Sequence, residues 1–116
     1  MSVLDRFKLT GKTALVTGGA RGLGKTMATA LAEAGADLAL TGRSRETCET
    51  AAKEISDATG RTVHAFGADV TSGKEVERLH AEVTAACGDV DILINNAGTN
   101  IRGTLDQLSE TDWDSV

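Results

Sequence analysis

Proline and tyrosine are both absent from this 116-residue chain, and aromatic residues make up only 3% of it. Without proline, the turns fall to its 13 glycines, as in the short connections of α/β proteins. Without aromatic bulk, the core has to be assembled from Ala, Val, Leu and Ile. Cysteine is nearly lacking too. Cys48 and Cys87 stand alone, not in a C-x-x-C pattern, so they read as small apolar packing residues rather than a disulfide framework or a redox pair. Positive charge is also short. Twelve Lys and Arg against 17 Asp and Glu give a net charge of −5, which argues against a nucleic-acid-binding surface. No apolar run is long enough to span a membrane, and the opening Met1–Arg6 lacks the apolar stretch of a secretory signal. The expectation is a cytoplasmic protein without a nucleic-acid or membrane partner.

What is present is an ordinary globular composition, 41% hydrophobic and 25% charged, at the length of one domain, residues 1–116. Short apolar runs alternate with longer helical patterns. The runs are Thr13–Thr17, Leu38–Thr41, Thr62–Phe66 and Val90–Asn95. Between them lie three stripes at helical spacing: Leu23, Met27, Leu31 and Ala34; then Cys48, Ala52 and Ile55; then Val76, Leu79, Val83 and Cys87. Gly35, Gly60 and Gly88 are placed to end those helices, and Thr71 or Ser72 could cap the third, with Glu75 in its first turn. Ser109 and Asp112 have the spacing of a capping box for a last helix.

This β-α-β-α-β-α-β alternation predicts an α/β fold with a mainly parallel sheet of the Rossmann, doubly wound type, in strand order 3-2-1-4. Right-handed crossovers place the first two helices on one face and the third on the other. Cys48 and Cys87 then lie on opposite faces, and no disulfide between them is expected.

The segment Thr17-Gly18-Gly19-Ala20-Arg21-Gly22-Leu23-Gly24 falls between the first strand and the first long helix. Glycines there let the backbone turn tightly and approach a pyrophosphate, and the helix N-terminus offers unpaired N–H donors. The same letters carry a rival. Gly19 to Thr26 fits the G-x-x-x-x-G-K-T phosphate loop of NTPases, with Lys25 on the terminal phosphates and Thr26 on magnesium. Three observations favour the dinucleotide. The last apolar strand ends in Asn95-Asn96 rather than a metal-binding acid, which leaves only Asp69 for that role. The spacing from the glycine turn to the end of the second strand suits a ribose contact. The segment Asn95-Asn96-Ala97-Gly98 has no place in a phosphate-loop protein.

These residues resemble the short-chain dehydrogenase/reductase family. The glycine segment matches its T-G-x-x-x-G-x-G motif, Asp69-Val70 its acidic position after the third strand, and Asn95 to Gly98 its N-N-A-G motif. The resemblance implies an oxidoreductase that moves hydride between a nicotinamide cofactor and a small carbonyl or alcohol substrate. It implies that Gly18, Gly22, Leu23 and Gly24 flank the pyrophosphate. Asp69 would accept from the adenine amino group, the Val70 backbone would read the ring edge, and Asn96, Ala97 and Gly98 would line the adenosine ribose. Asp69 could instead cap the turn that follows it, and Asn95 would brace the sheet. Users of NAD in this family place an acid at the end of the second strand. Here that position is Gly42, followed by Arg43 and Ser44, with Arg21 in the glycine turn. Two guanidiniums and a hydroxyl suit the 2′-phosphate of NADP better than NAD.

The family's catalytic Tyr-x-x-x-Lys pair has no counterpart. There is no tyrosine, and the lysines Lys8, Lys12, Lys25, Lys53 and Lys74 all precede the fourth strand. The expectation is a truncated Rossmann domain whose catalytic part lies beyond Val116 and which is inactive alone. No catalytic residue and no metal ligand are assigned. A stand-alone nucleotide-binding or interaction module is the alternative in a different class. Ile92, Leu93 and Ile94 would form an exposed sheet edge, so a homo-oligomer is expected. The loop Gly98–Gly103 would border a substrate cleft, with Arg102 either meeting an acidic substrate or simply solvated.

Overall fold

The computed structural model describes residues 2–98 and 106–111. Among the described residues the chain runs through α1 (Val3–Arg6), β1 (Thr13–Thr17), α2 (Gly22–Glu33), β2 (Asp37–Gly42), α3 (Arg45–Thr59), β3 (Val63–Gly67), α4 (Gly73–Cys87) and β4 (Ile92–Ile94). The four strands form one parallel sheet in the order β3-β2-β1-β4, as the alternation predicts. Register runs Thr17 opposite Thr41 between β1 and β2, and Val16 opposite Ile94 between β1 and β4.

Each face of the sheet carries its own core. Ala14, Val16, Leu38 and Leu40 pack with Ala28 and Ala32 of α2 and with Ala51, Ala52 and Ile55 of α3. On the other face Ala39 and Phe66 pack with Leu79 and Val83 of α4. Two helices on one side and one on the other is the arrangement that right-handed crossovers dictate. Cys48 is buried and Cys87 half-buried, both as free thiols, and burial pushes both thiols above the usual range.

The helix ends follow local chemistry. Ser44 and Ser72 cap α3 and α4 by accepting from the Thr47 and Glu75 N–H groups. Gly60 and Gly88 end them, and Gly35 follows the C-cap of α2, Ala34.

Four details differ from the sequence reading. The opening residues form a short helix, α1, held by a capping box between Ser2 and Asp5. The buried stripe of α2 is Gly24, Ala28 and Ala32, one residue round from the expected stripe, and Leu23 is 76% exposed. Small residues win the sheet-facing positions because they let the helix axis approach closely, and the larger side chains are displaced to the flank. On α4, Leu79 and Val83 are buried as expected, whereas Val76 is exposed. Strand β4 is shorter than Val90–Asn95. Glu110 and Thr111 are helical, while Asp112 of the expected capping box, Arg102 and most of its loop lie outside the described residues.

Candidate functional site

All four strands point the same way, so the loops after them meet at one edge of the sheet. A cleft of about 450 Å³ opens there. Gly18 and Arg21 line it from the β1–α2 turn, and Arg43 and Ser44 from the end of β2. Val70 closes it after β3, and Asn96, Ala97 and Gly98 after β4. Four loops far apart in sequence thus bring most of the expected residues together. Gly22, Leu23 and Gly24 form the first turn of α2 next to Arg21, and Asp69 lies between the lining residues Ala68 and Val70. Gly42 lies in the wall where the sequence put it, beside Arg43, whereas Ala20, Thr41, Thr47, Cys48, Ala68 and Thr71 also belong to the wall and were not among the expected site residues. Ser44 as helix cap was the available clue for Thr47 and Cys48, because it turns the first residues of α3 toward the end of β2.

The start of α2 is built differently from its neighbours. Its N-cap, Arg21, makes no side-chain cap, whereas α3 and α4 use a serine. The first N–H groups of α2 therefore lack the internal acceptor that the other helices supply. Gly18 and Gly22 have φ of +64° and +59°, a region that strains any side chain. A Cβ at Gly22 would meet nothing within 4 Å, so that side of the turn is open. A Cβ at Gly24 would collide with the Gly18 carbonyl and lie 2.5 Å from Asn96 Nδ2.

Thr17 fastens the β4 loop to this turn. Its hydroxyl donates to the Ile94 carbonyl at 3.3 Å and accepts from the Asn96 and Ala97 N–H groups, each at 2.9 Å. The Asn96 side chain donates to the Gly18 carbonyl at 3.2 Å. The bracing role expected of Asn95 thus falls to Asn96. The Asn95 side chain is exposed and borders a hollow on the other side of the strand end. Strand alternation accounts for the swap, since successive side chains leave opposite faces.

The charged groups are arranged around the β2 end. Arg43 is 72% exposed, with its Nε 3.9 Å from Asp69 Oδ1. Asp69 also accepts from the Thr71 N–H at 2.9 Å and the Thr71 hydroxyl at 2.6 Å. Those two bonds, helped by Arg43, hold its carboxyl below the usual range. Asp69 therefore caps its turn through Oδ1, one of its two sequence readings, and these bonds leave Oδ2 out. Lys25 is turned away from the cleft and ion-pairs with Glu54 of α3, while the Thr26 hydroxyl donates to the Gly22 carbonyl at 3.2 Å. Neither side chain is disposed as a phosphate loop requires.

The hollow beside β4 encloses about 680 Å³. Leu15, Val70, Val76, Leu79, Val83 and Leu93 give it a largely apolar wall.

Comparison with known proteins places this geometry. Residues 12–116 match the sequence model of the short chain dehydrogenase family. The chain belongs to that family of nicotinamide-dependent oxidoreductases. It is 40% identical over 116 residues to gluconate 5-dehydrogenase of Gluconobacter oxydans, which covers all of this chain and 45% of that protein. The crystal structure of a short-chain type dehydrogenase/reductase from Mycobacterium marinum superposes with a TM-score of 0.89 at 35% identity, over 97% of this chain and 44% of the other. L-Sorbose reductase of Gluconobacter frateurii, solved with NADPH and L-sorbose, superposes with a TM-score of 0.86 at 30% identity, over 93% of this chain and 41% of the other. The chain thus spans less than half the length of the relatives it matches.

Proposed function

We propose that this chain is the dinucleotide-binding part of a short-chain oxidoreductase that uses NADP in preference to NAD. The observation that carries the reading is the composition of one cleft. It has a glycine turn with Arg21 opening onto an uncapped helix start at one end, and Gly42 and Arg43 in place of an acid at the other. The residues present fit the cofactor. The open side of Gly22 and the free amides of α2 suit a diphosphate, and the exposed guanidiniums suit a further phosphate. The relative solved with NADPH supports the same choice.

Gly18, Gly22, Leu23 and Gly24 hold the pyrophosphate through backbone N–H groups and close approach. Arg21, Arg43 and Ser44 hold the 2′-phosphate. The Ser44 oxygen accepts from Thr47, which leaves its own hydrogen to donate. Asp69 and Val70 read the adenine, the first through its carboxylate. Asn96, Ala97 and Gly98 border the adenosine ribose. The bound nicotinamide supplies hydride exchange with a small carbonyl or alcohol in the whole enzyme. This chain by itself binds without turnover, because it has no tyrosine to pass the substrate proton. Copies associate through the edge strand β4.

Calorimetric titration of NADPH, NADH and magnesium ATP into the chain tests this directly. NADPH should bind at least tenfold more tightly than NADH, and magnesium ATP weakly or not at all. Tight magnesium-dependent ATP binding would sink the reading.

A further inference from the structure

Thr17 and Thr41 stand opposite each other in neighbouring strands, at the edge of the sheet where the cleft opens. Both are buried, yet their hydroxyls are used very differently. That of Thr17 has three backbone partners. That of Thr41 has none, although the residue is 0% exposed. One other buried side-chain atom lacks a partner among the described residues, Arg61 Nε, and its guanidinium is already paired with Asp37 at 2.9 Å at the far end of the sheet. Thr41 is therefore the one buried orphan on the wall of the cleft among the described residues.

Burying a hydroxyl without a partner leaves its lost hydration uncompensated. Valine has the same shape and a higher strand propensity, so packing alone gives no reason for threonine here. The backbone around it is already spoken for, since the Thr41 carbonyl accepts from the Gly18 N–H at 2.8 Å. We propose that Thr41 is a further ligand-binding residue. Its hydroxyl, closed to solvent in the unliganded chain, takes its missing hydrogen bond from the adenosine half of the nucleotide once binding shifts the cleft wall enough to reach it. The location fits, because Thr41 lies between the glycine turn, to which its carbonyl is bonded, and Gly42 with Arg43 at the end of β2. This inference rests on the dinucleotide reading and adds to it a contact that none of the family motifs contains.

The test compares wild type with Thr41→Val and Thr41→Ser, using NADPH, adenosine 2′,5′-bisphosphate and nicotinamide mononucleotide as probes. Thr41→Val should bind NADPH and the bisphosphate roughly tenfold more weakly, and Thr41→Ser within about twofold of wild type. Affinity for the mononucleotide should be the same in all three. The Tm of unliganded Thr41→Val should equal or exceed that of wild type, a readout separate from binding. If Thr41→Val fails to fold, Thr41→Ala must show the same loss. Unchanged affinity for NADPH and the bisphosphate in the folded variant overturns the role of Thr41 while leaving the dinucleotide reading intact. No binding of any probe by wild type overturns both.

Discussion

Gly24 is packed so closely beneath Gly18 that a methyl group on its Cα would overlap the Gly18 carbonyl oxygen and reach 2.5 Å from Asn96 Nδ2. That carbonyl is also the acceptor for the Asn96 side chain, so one atom joins the β1–α2 turn to the β4 loop. Gly24→Ala has to push the helix off the turn or break this bond. Overpacking of this kind costs about 1–3 kcal/mol, and the glycine cradle widens with it. The expected outcome is a fall in Tm together with a loss of NADPH affinity of tenfold or more. Gly22→Ala separates the two effects. Its Cβ meets nothing, so it should strain the backbone at φ +59° and obstruct the ligand without disturbing the Asn96 bond. Thermal melts and NADPH titrations of both variants check this, with Asn96 side-chain amide shifts as the marker of the bond.

Two of the cations that the sequence offers for a phosphate, Lys25 and Arg43, should behave in opposite ways. Arg43 is exposed on the cleft wall, whereas Lys25 is committed to Glu54. A charge-assisted contact to the 2′-phosphate is worth about 1.5–3 kcal/mol. Arg43→Ala should therefore weaken NADPH binding by roughly ten- to a hundredfold and NADH binding by less than threefold. Lys25→Ala should leave both affinities within about twofold, since exposed ion pairs contribute little. Parallel calorimetric titrations decide it, and equal losses of NADPH and NADH in Arg43→Ala would remove the phosphate contact.

Much of this was legible from the residues, for identifiable reasons. The strand order and the split of helices between faces follow from alternation and handedness, which few local details can override. The convergence of Gly18, Arg43, Val70 and Asn96 on one cleft follows from the same topology, because parallel strands deliver all their loops to one edge. What periodicity could not reveal was rotation. The sequence offers both a Leu23-Met27-Leu31 stripe and a Gly24-Ala28-Ala32 stripe on α2, one residue apart, and close helix–sheet packing selects the smaller. Adjacent asparagines pose the same problem. Asn95 and Asn96 differ only in which face the strand turns them to, and the Thr17 hydroxyl settles it. The lone hydroxyl of Thr41 is a property of packing that no pattern of letters contains.

The Asp69 turn carries the pH dependence. Its folded pKa is depressed, chiefly by the Thr71 hydroxyl and N–H. A depressed carboxylate contributes stability that is fully present above its unfolded pKa and lost as pH falls through the lower folded value. The turn should therefore hold through mildly acidic conditions and loosen only below the ordinary carboxylate range. Thr71→Val removes the largest cause while keeping the backbone bond. NMR titration of the Asp69 carboxyl should show its midpoint rising toward the ordinary value in that variant. No movement would mean that the hydroxyl does not set the charge.

The exposed face beside β4 should make the chain self-associate. Among the described residues β4 pairs with β1 alone, so its other edge offers backbone N–H and C=O groups to a partner. Leu93 is 54% exposed, and Val70, Val76 and Val90 are exposed around the same 680 Å³ hollow. An apolar wall next to an open edge combines two driving forces, strand pairing and burial of hydrocarbon at about 25 cal/mol per Å². A charge at Leu93 opposes both. Leu93 faces the hollow rather than the cleft, so Leu93→Lys should leave NADPH affinity unchanged. Sedimentation velocity over a hundredfold concentration range should show reversible association of wild type and a largely monomeric Leu93→Lys. Equal sedimentation of the two proteins would show that this face does not hold copies together, because a lysine at that position could not be buried unpaired without a measurable cost.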